Sequence, residues 1–150
     1  MARMQLPGDF KEFLRLFNEH QVEYLLIGGY AVGYHGYPRA TGDMDLWVNP
    51  TPDNAARIVN ALAAFGFSAA AVSAELFLRP DQIVRMGVPP MRIELLTTIS
   101  GVDFHACYAR RKTEVLDGVE TPIISLQDLR LNKQACGRLK DLSDLENLPP

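Results

Sequence analysis

The 150-residue sequence predicts a single α/β (α+β) domain, with a mixed β-sheet flanked by helices and further helices at the C-terminus. Short apolar runs alternate with segments whose apolar residues recur at helical spacing. An Asp117-Gly118 pair between two late apolar runs is typical of a β-hairpin. The sequence contains no repeat, low-complexity tract or linker. We therefore expect one domain over 1–150, with a core at about 22–124 and a helical region at about 125–148.

Composition excludes several classes of protein. The net charge is −3, with 47% apolar and 22% charged residues, as in ordinary globular proteins. Extensive DNA binding is not expected, because such proteins carry a broad basic surface. The two cysteines form no C-x-x-C pattern, which favours the cytoplasm. The sequence has neither a signal peptide nor an apolar run long enough to span a membrane.

The first half predicts helices separated by two strands. Asp9 and Glu12 form a capping-box pattern that opens the first helix. A strand over Tyr24–Ile27 ends at Gly28 and Gly29, and a brief helix over 30–34 follows. The apolar stripe of the first helix is Phe10, Phe13, Leu14 and Phe17.

A second strand, Asp43–Val48, precedes a helix that Thr51 caps, with Pro52 in its first turn and Gly66 at its end. The later segments predicted are a short helix and then a strand within 74–87, a strand over 91–97 after Pro89 and Pro90, a helix over Phe104–Ala109, a hairpin closed by strand 119–124, and helices from Ser125 with a break at Gly137. Leu139, Leu142, Leu145 and Leu148 are expected in the core.

The second strand carries two acids at alternate positions. Residues i and i+2 of a strand face the same side, about 6.5–7 Å apart. Asp43 and Asp45 therefore lie side by side, while Met44 and Leu46 point into the core. Two such carboxylates suit a pair of Mg²⁺ ions that act on phosphate groups. The alternative is a solvent-facing strand that merely carries acids.

A third acid, Glu94, lies within the apolar strand that contains Ile93 and Leu95. A carboxylate in such a strand is costly unless a cation lies beside it. That cation is either a metal ion or a guanidinium, from Arg92 or Arg39.

The glycine pair Gly28 and Gly29 lies between a strand and a helix, where backbone amides can bind an anion. Tyr30 excludes the G-x-G-x-x-G pattern of dinucleotide-binding folds. The absence of a following Gly-Lys-Ser/Thr excludes a P-loop. The informative feature is the combination of this turn with the two acids that follow it.

The run LLIGGYAVGYHGYPRATGDMDLWV resembles the first motif of nucleotidyltransferases related to DNA polymerase beta, and most closely the AbiEii-type toxin branch and its small relatives. The matching positions are Gly28, Gly29, Arg39, Thr41, Asp43 and Asp45. Glu94 between two aliphatic residues matches the second motif, Lys133 the third, and Lys140-Asp141-Leu-Ser-Asp144-Leu the fourth. Tyr30, Glu94 and Lys140 differ from the residues that are common in the branch.

The resemblance implies a role for each matched residue. Metal ligands would be Asp43, Asp45 and Glu94, holding two Mg²⁺ ions, with Mn²⁺ as a substitute. NTP would be bound by Gly28, Gly29, Tyr30, Arg39, Thr41 and Lys133. Asp141 or Asp144 would orient Lys133 or Arg138, so the expected catalytic set is Asp43, Asp45, Glu94, Lys133, Asp141 and Asp144. We expect Lys133 to face the cleft and its replacement by alanine to spare folding.

The function implied is transfer of a nucleoside monophosphate from an NTP to a hydroxyl of RNA (such as a tRNA end), protein or a small molecule. A toxin–antitoxin role with a cognate partner protein would fit the branch. One alternative is an inactive nucleotide-binding or protein-interaction module on the same fold. A second and weaker alternative is a D-x-D sugar transferase.

Overall fold

The computed structural model describes residues 4–67, 72–88 and 91–150. Pro89 and Pro90, expected before a strand, lie outside these ranges. The helices are α1 Gly8–Glu19, α2 Gly28–Tyr34, α3 Pro52–Phe65, a 3₁₀ helix Ala74–Leu78, α4 Phe104–Ala109, α5 Leu126–Cys136 and α6 Leu139–Asn147. The strands are β1 Tyr24–Ile27, β2 Asp43–Val48, β3 Ile83–Val88, β4 Met91–Leu96, β5 Lys112–Leu116 and β6 Val119–Ile123.

The strands form one mixed six-stranded sheet in the order β3-β4-β2-β1-β6-β5. β2 lies between antiparallel β1 and parallel β4, so the second and fourth strands of the chain are direct neighbours. Their register pairs Asp45 with Glu94 and Asp43 with Arg92. This arrangement confirms the predicted mixed sheet flanked by helices.

The two faces of the sheet differ in polarity. Met44, Leu46 and Val48 of β2 are fully buried on the face that α1 and α3 cover. Phe13 of α1 packs edge to face on Phe65 of α3 at 5.1 Å between ring centroids. The apolar stripe predicted for α1 is thus the core of this layer, and the acidic side chains of β2 are left on the other face.

Most predicted helix boundaries are confirmed. The Thr51 side chain accepts a hydrogen bond from the Asn54 amide at 3.4 Å, and Ser125 caps α5 in the same way. Gly66 and Gly137 end α3 and α5 in the left-handed conformation, which a residue without Cβ adopts at little cost.

Two predicted helix starts are wrong. Among the described residues, α1 has no side-chain cap; Pro7 holds the N-cap position and its carbonyl accepts from the Lys11 amide at 3.1 Å. The Asp9–Glu12 capping box is therefore absent from this part of the chain. The second helix begins at Gly28 rather than at residue 30.

The leucines of α6 also depart from expectation. Leu139 and Leu142 are 88% and 46% exposed, whereas Leu148 is buried. The reason is that α6 presents Asp141 and Asp144 to the interior, so Leu139 and Leu142 lie on its outer side and Leu145 is half-buried. Within the described residues, no helix is both long and apolar enough to cross a bilayer.

Replacement of Asn54 by alanine should destabilise the fold by about 2–4 kcal/mol. The Asn54 side chain is fully buried, accepts from the Glu23 amide at 2.7 Å and donates to the carbonyls of Glu23 and Asn49 at 3.0 and 2.9 Å. Its loss leaves the buried Glu23 amide without its acceptor and removes one of two donors from each carbonyl, which also accept from the Asn49 and Thr51 amides. Urea unfolding measures the effect, with Asn60→Ala at an exposed position of the same helix as control. Equal unfolding midpoints for the two variants would contradict this role.

Candidate active site

Three carboxylates lie on one face of the sheet. Met44 and Leu46 are buried on the opposite face, so Asp43 and Asp45 project together from β2. Glu94 of β4 projects to the same side, because it is the register partner of Asp45 across the parallel pair. The predicted alternation of both strands is confirmed, and the three acids share this face.

Asp45 occupies an unfavourable environment for a carboxylate. Its Oδ1 atom is buried and finds no hydrogen-bond partner among the described residues. Burial, followed by repulsion from Glu94, raises the pKa of Asp45 to about 7. The site therefore concentrates more negative charge than the surrounding groups neutralise, which is the condition that a bound cation would relieve.

Two arginines hold the other carboxylates. Arg92 contacts Asp43 at 3.2 Å and Glu94 at 3.8 Å, and Arg85 of β3 contacts Glu94 at 3.2 Å. Within residues 4–67, 72–88 and 91–150, no three His, Cys, Asp or Glu side chains are arranged to hold a metal ion. The expected three-carboxylate metal shell is thus not preformed, because guanidinium groups occupy two of its members.

The glycine pair allows the end of β1 to approach the acids. Gly28 has a φ of 67°, and a Cβ atom there would lie 3.0 Å from Cγ of Asp45. A Cβ atom at Gly29 would lie 2.7 Å from the hydroxyl of Thr41. Only glycine lets the turn pass this close, so the turn, Thr41 and Asp45 form one wall.

Tyr30, the residue after the glycines, packs its ring into the core. The ring is buried and packs edge to face on Phe10 of α1, with centroids 5.9 Å apart. The residue after the glycines is thus a core residue in this chain. The role that the resemblance implies for the backbone amide of Tyr30 at the phosphates stays a prediction.

Lys133 of α5 lies at the centre of a buried charge cluster. Its side chain is 5% exposed, and its ammonium lies 3.2 Å from Asp141 and 3.1 Å from Asp144. Asp144 also accepts two hydrogen bonds from Arg39, and Asp141 accepts from Arg138 at 2.7 Å. The predicted contacts of the two aspartates with Lys133 and Arg138 are therefore present.

Lys133 is also more buried than the sequence suggested. Burial opposes ionisation of Asp141 and Asp144, yet hydrogen bonds from arginine and Lys133 hold the pKa of each below its ordinary value. Both carboxylates therefore stay charged and depend on the ammonium. The expectation that loss of Lys133 would spare folding does not fit this burial.

These groups border a cleft of about 250 Å³ between the sheet and the C-terminal helices. Gly28, Gly29 and Asp45 line it together with four basic side chains, Arg39, Lys133, Arg138 and Lys140. Its remaining lining comes from Leu96, the loop after β4, Asn132 and Cys136. A larger cavity of about 470 Å³ lies at the start of β1, but it contains none of the three acids. The smaller cleft brings together Gly28, Gly29, Arg39, Asp45 and Lys133 of the predicted motifs, and Asp45 is the one of the three acids that lines it.

Sequence patterns predict Arg39 at this site but miss Arg85 and Asn132. Arg85 shares the acid face because of the β3–β4 register, which no pattern within β3 reveals. Arg39 was expected at the phosphates, and it lines the cleft while forming a bidentate pair with Asp144. Asn132 faces the cleft beside Lys133; its position directly before the predicted lysine was the available signal.

Comparison with known proteins identifies the fold. Neither a protein-family model nor a curated protein matches the sequence. TM1012 of Thermotoga maritima, a protein assigned as a nucleotidyltransferase, matches the structure with a TM-score of 0.61 and 14% identity, over 91% of this chain and 88% of that one. The lincosamide antibiotic adenylyltransferase LnuA, bound to lincomycin, matches with a TM-score of 0.56 and 14% identity, over 97% of both chains. The chain therefore has a nucleotidyltransferase-like fold.

Proposed function

We propose that this protein is a metal-dependent nucleotidyltransferase that moves a nucleoside monophosphate from an NTP to a hydroxyl acceptor. The observation that carries the proposal is the cleft in which Asp45, with its unpartnered oxygen, meets four basic side chains beside a glycine turn. Acids suit a divalent cation and basic groups suit a triphosphate. The two solved structures with this fold, one of them an adenylyltransferase, support the same chemistry.

Asp45, Glu94 and Asp43 would hold Mg²⁺ or Mn²⁺. The fit rests on the buried oxygen of Asp45 and on the charge that raises its pKa, since a cation there would satisfy both. When bound, the ion neutralises phosphate oxygens and stabilises charge on the attacking and leaving oxygens. A complete shell requires Arg92 to leave Asp43 and Arg85 to leave Glu94.

The basic residues of the cleft would hold the triphosphate. Lys133 contributes a point charge that Asp141 and Asp144 fix in place, and Arg39 is fixed by Asp144. Arg138 and Lys140 add charge at the mouth of the same cleft. These contacts would neutralise the pyrophosphate as it leaves.

The transfer itself needs a group that takes one proton. The acceptor oxygen forms a bond to the α-phosphorus while the bond from that phosphorus to the β-phosphate oxygen breaks, releasing pyrophosphate. Glu94 is the expected acceptor of the hydroxyl proton, because it lies on the acid face at the level of Asp45. Its contact with Arg85 would have to open for this role.

The biological role proposed is of toxin–antitoxin type, with a cognate partner protein and an RNA end, a protein or a small molecule as acceptor. Support comes from the resemblance of the motif order to the AbiEii-type branch. The net charge of −3 favours an acceptor bound at one end over a long polyanion lying across the surface.

A second candidate is an inactive nucleotide-binding module on the same fold. Two observations favour it: the guanidinium groups on Asp43 and Glu94, and the Tyr30 ring packed into the core. Such a module would bind an NTP and release it unchanged.

Incubation with each α-labelled NTP, Mg²⁺ and a cell lysate should label an acceptor. Asp45→Asn should reduce labelling by about 100-fold or more, because removal of one group that stabilises the transition state has that scale. Asp53→Asn, an exposed acid of α3, is the matched control.

A thermal shift with NTP and Mg²⁺ separates the two candidates. At 100 times the dissociation constant, binding should stabilise the wild type by about 2.7 kcal/mol. A shift without labelling would identify the inactive module. A wild type that gives neither result with any NTP would refute nucleotide binding.

The stability of the wild type in EDTA should fall, relative to that of Asp45→Asn, as the pH rises from about 4 to about 7. The folded-state pKa of Asp45 is raised, so the folded protein binds this proton more tightly than the unfolded chain does. That stabilisation is complete at low pH and is lost as the pH passes the folded pKa. Urea midpoints at three pH values measure the difference, and excess Mg²⁺ should remove it. If the difference in stability between wild type and Asp45→Asn does not change with pH, the pKa of Asp45 is not raised in the folded protein.

Lys133→Met should destabilise the protein by about 3–5 kcal/mol, although the aliphatic volume is retained. The change leaves Asp141 and Asp144 buried without the ammonium that they share. Urea unfolding tests this, with Lys112→Met at an exposed position as control. If Lys133→Met unfolds at the same midpoint as the control, the cluster does not support the fold.

A further inference from the structure

The part of the cleft beyond the charged groups is lined by apolar and uncharged side chains. Leu96 is the register partner of Trp47, two residue pairs further along the sheet than Asp45 and Glu94, or about 6.5 Å. Leu96 and Ile99 are apolar, and Ser100 and Asn132 provide polar groups next to them. Because the four basic side chains would hold the triphosphate, the nucleobase is directed to this apolar end.

Asn132 has a defined orientation at this end. It is 8% exposed, and its Nδ2 donates to the Ser100 carbonyl at 3.0 Å. A carbonyl oxygen only accepts, so the NH₂ group must face Ser100 and the carboxamide oxygen must face away.

The carboxamide oxygen of Asn132 is not enclosed by the described residues. Among the described residues it accepts no hydrogen bond, and the enclosed side-chain atoms without partners are Asp45 Oδ1 and Trp47 Nε1. The Asn132 oxygen is therefore reached by solvent, and the cleft is the cavity that Asn132 lines.

The Ser100 loop and α5 pack closely enough to fix this geometry. Gly101 has a φ of 82°, and a Cβ atom there would lie 2.6 Å from Cβ of Ala135 and 3.2 Å from the Leu131 carbonyl oxygen. Lys133, the next residue after Asn132, is held by two buried carboxylates. The oxygen of Asn132 is thus a preorganised acceptor.

We propose that Asn132 selects the nucleobase, its carboxamide oxygen accepting a hydrogen bond from the amino group of a 6-aminopurine or 4-aminopyrimidine. This inference rests on the proposed function and deepens it by naming the substrate class. An oxo group at the same position places two acceptors against each other. The site therefore favours ATP over ITP and CTP over UTP, and each of these pairs differs in that group and its ring proton.

The test is calorimetric titration of the wild type with ATP, ITP, CTP, UTP and tripolyphosphate, each with Mg²⁺. We expect about tenfold preference for the amino member of each pair, the scale of one lost hydrogen bond. Asn132→Ala should bring both ratios close to one while leaving tripolyphosphate affinity unchanged. Asn60→Ala, at an exposed position of α3, should preserve both ratios.

The outcomes separate this inference from the proposed function. Equal or reversed affinities within the pairs in the wild type would overturn base selection while leaving nucleotide binding intact, and this measurement does not depend on the folding of any variant. Ratios that persist in a folded Asn132→Ala protein would also overturn it. Failure to bind every nucleotide and tripolyphosphate would overturn both proposals.

Discussion

The buried charge cluster around Lys133 is the constraint on which the site depends. Two carboxylates and an ammonium lie out of water at one point, and each can satisfy its charge only through the others. The two carboxylates come from α6, the lysine comes from α5, and Arg39 comes from the loop before β2. The cluster therefore ties three distant segments together. Arg39 and Lys133 of this cluster also line the cleft.

The same cluster explains the composition of the C-terminal region. A helix that buries aspartates needs no apolar stripe, and α6 uses Leu148 near its end as its apolar anchor. Leu139 and Leu142 then remain outside, although their spacing suggests a core. Burial of charged aspartates in this way costs more free energy than burial of leucines at the same helix face. The cost is understandable if the charges position groups that serve a ligand.

The sequence predicts the fold better than it predicts the site. Predictions from local patterns are confirmed. These are the alternation in β2 and β4, the caps at Thr51 and Ser125, and the Asp-Gly hairpin. The pairing of Arg92 with Asp43 depends on strand register, which is set by contacts between distant segments. The burial of Lys133 depends on how α6 docks. Strand register and helix docking therefore required the structure, whereas the alternation within β2 and β4 did not.

The guanidinium groups of Arg85 and Arg92 have a consequence for the resting protein. They act as built-in counter-ions for Asp43 and Glu94, whereas neither forms a salt bridge with Asp45. A divalent ion that arrives alone must displace these tethered charges, which remain at high local concentration. An ion delivered with a polyphosphate would gain contacts on both sides of the cleft at once. Under the proposed function, this arrangement would make the protein bind a metal ion alone more weakly than a metal–nucleotide pair.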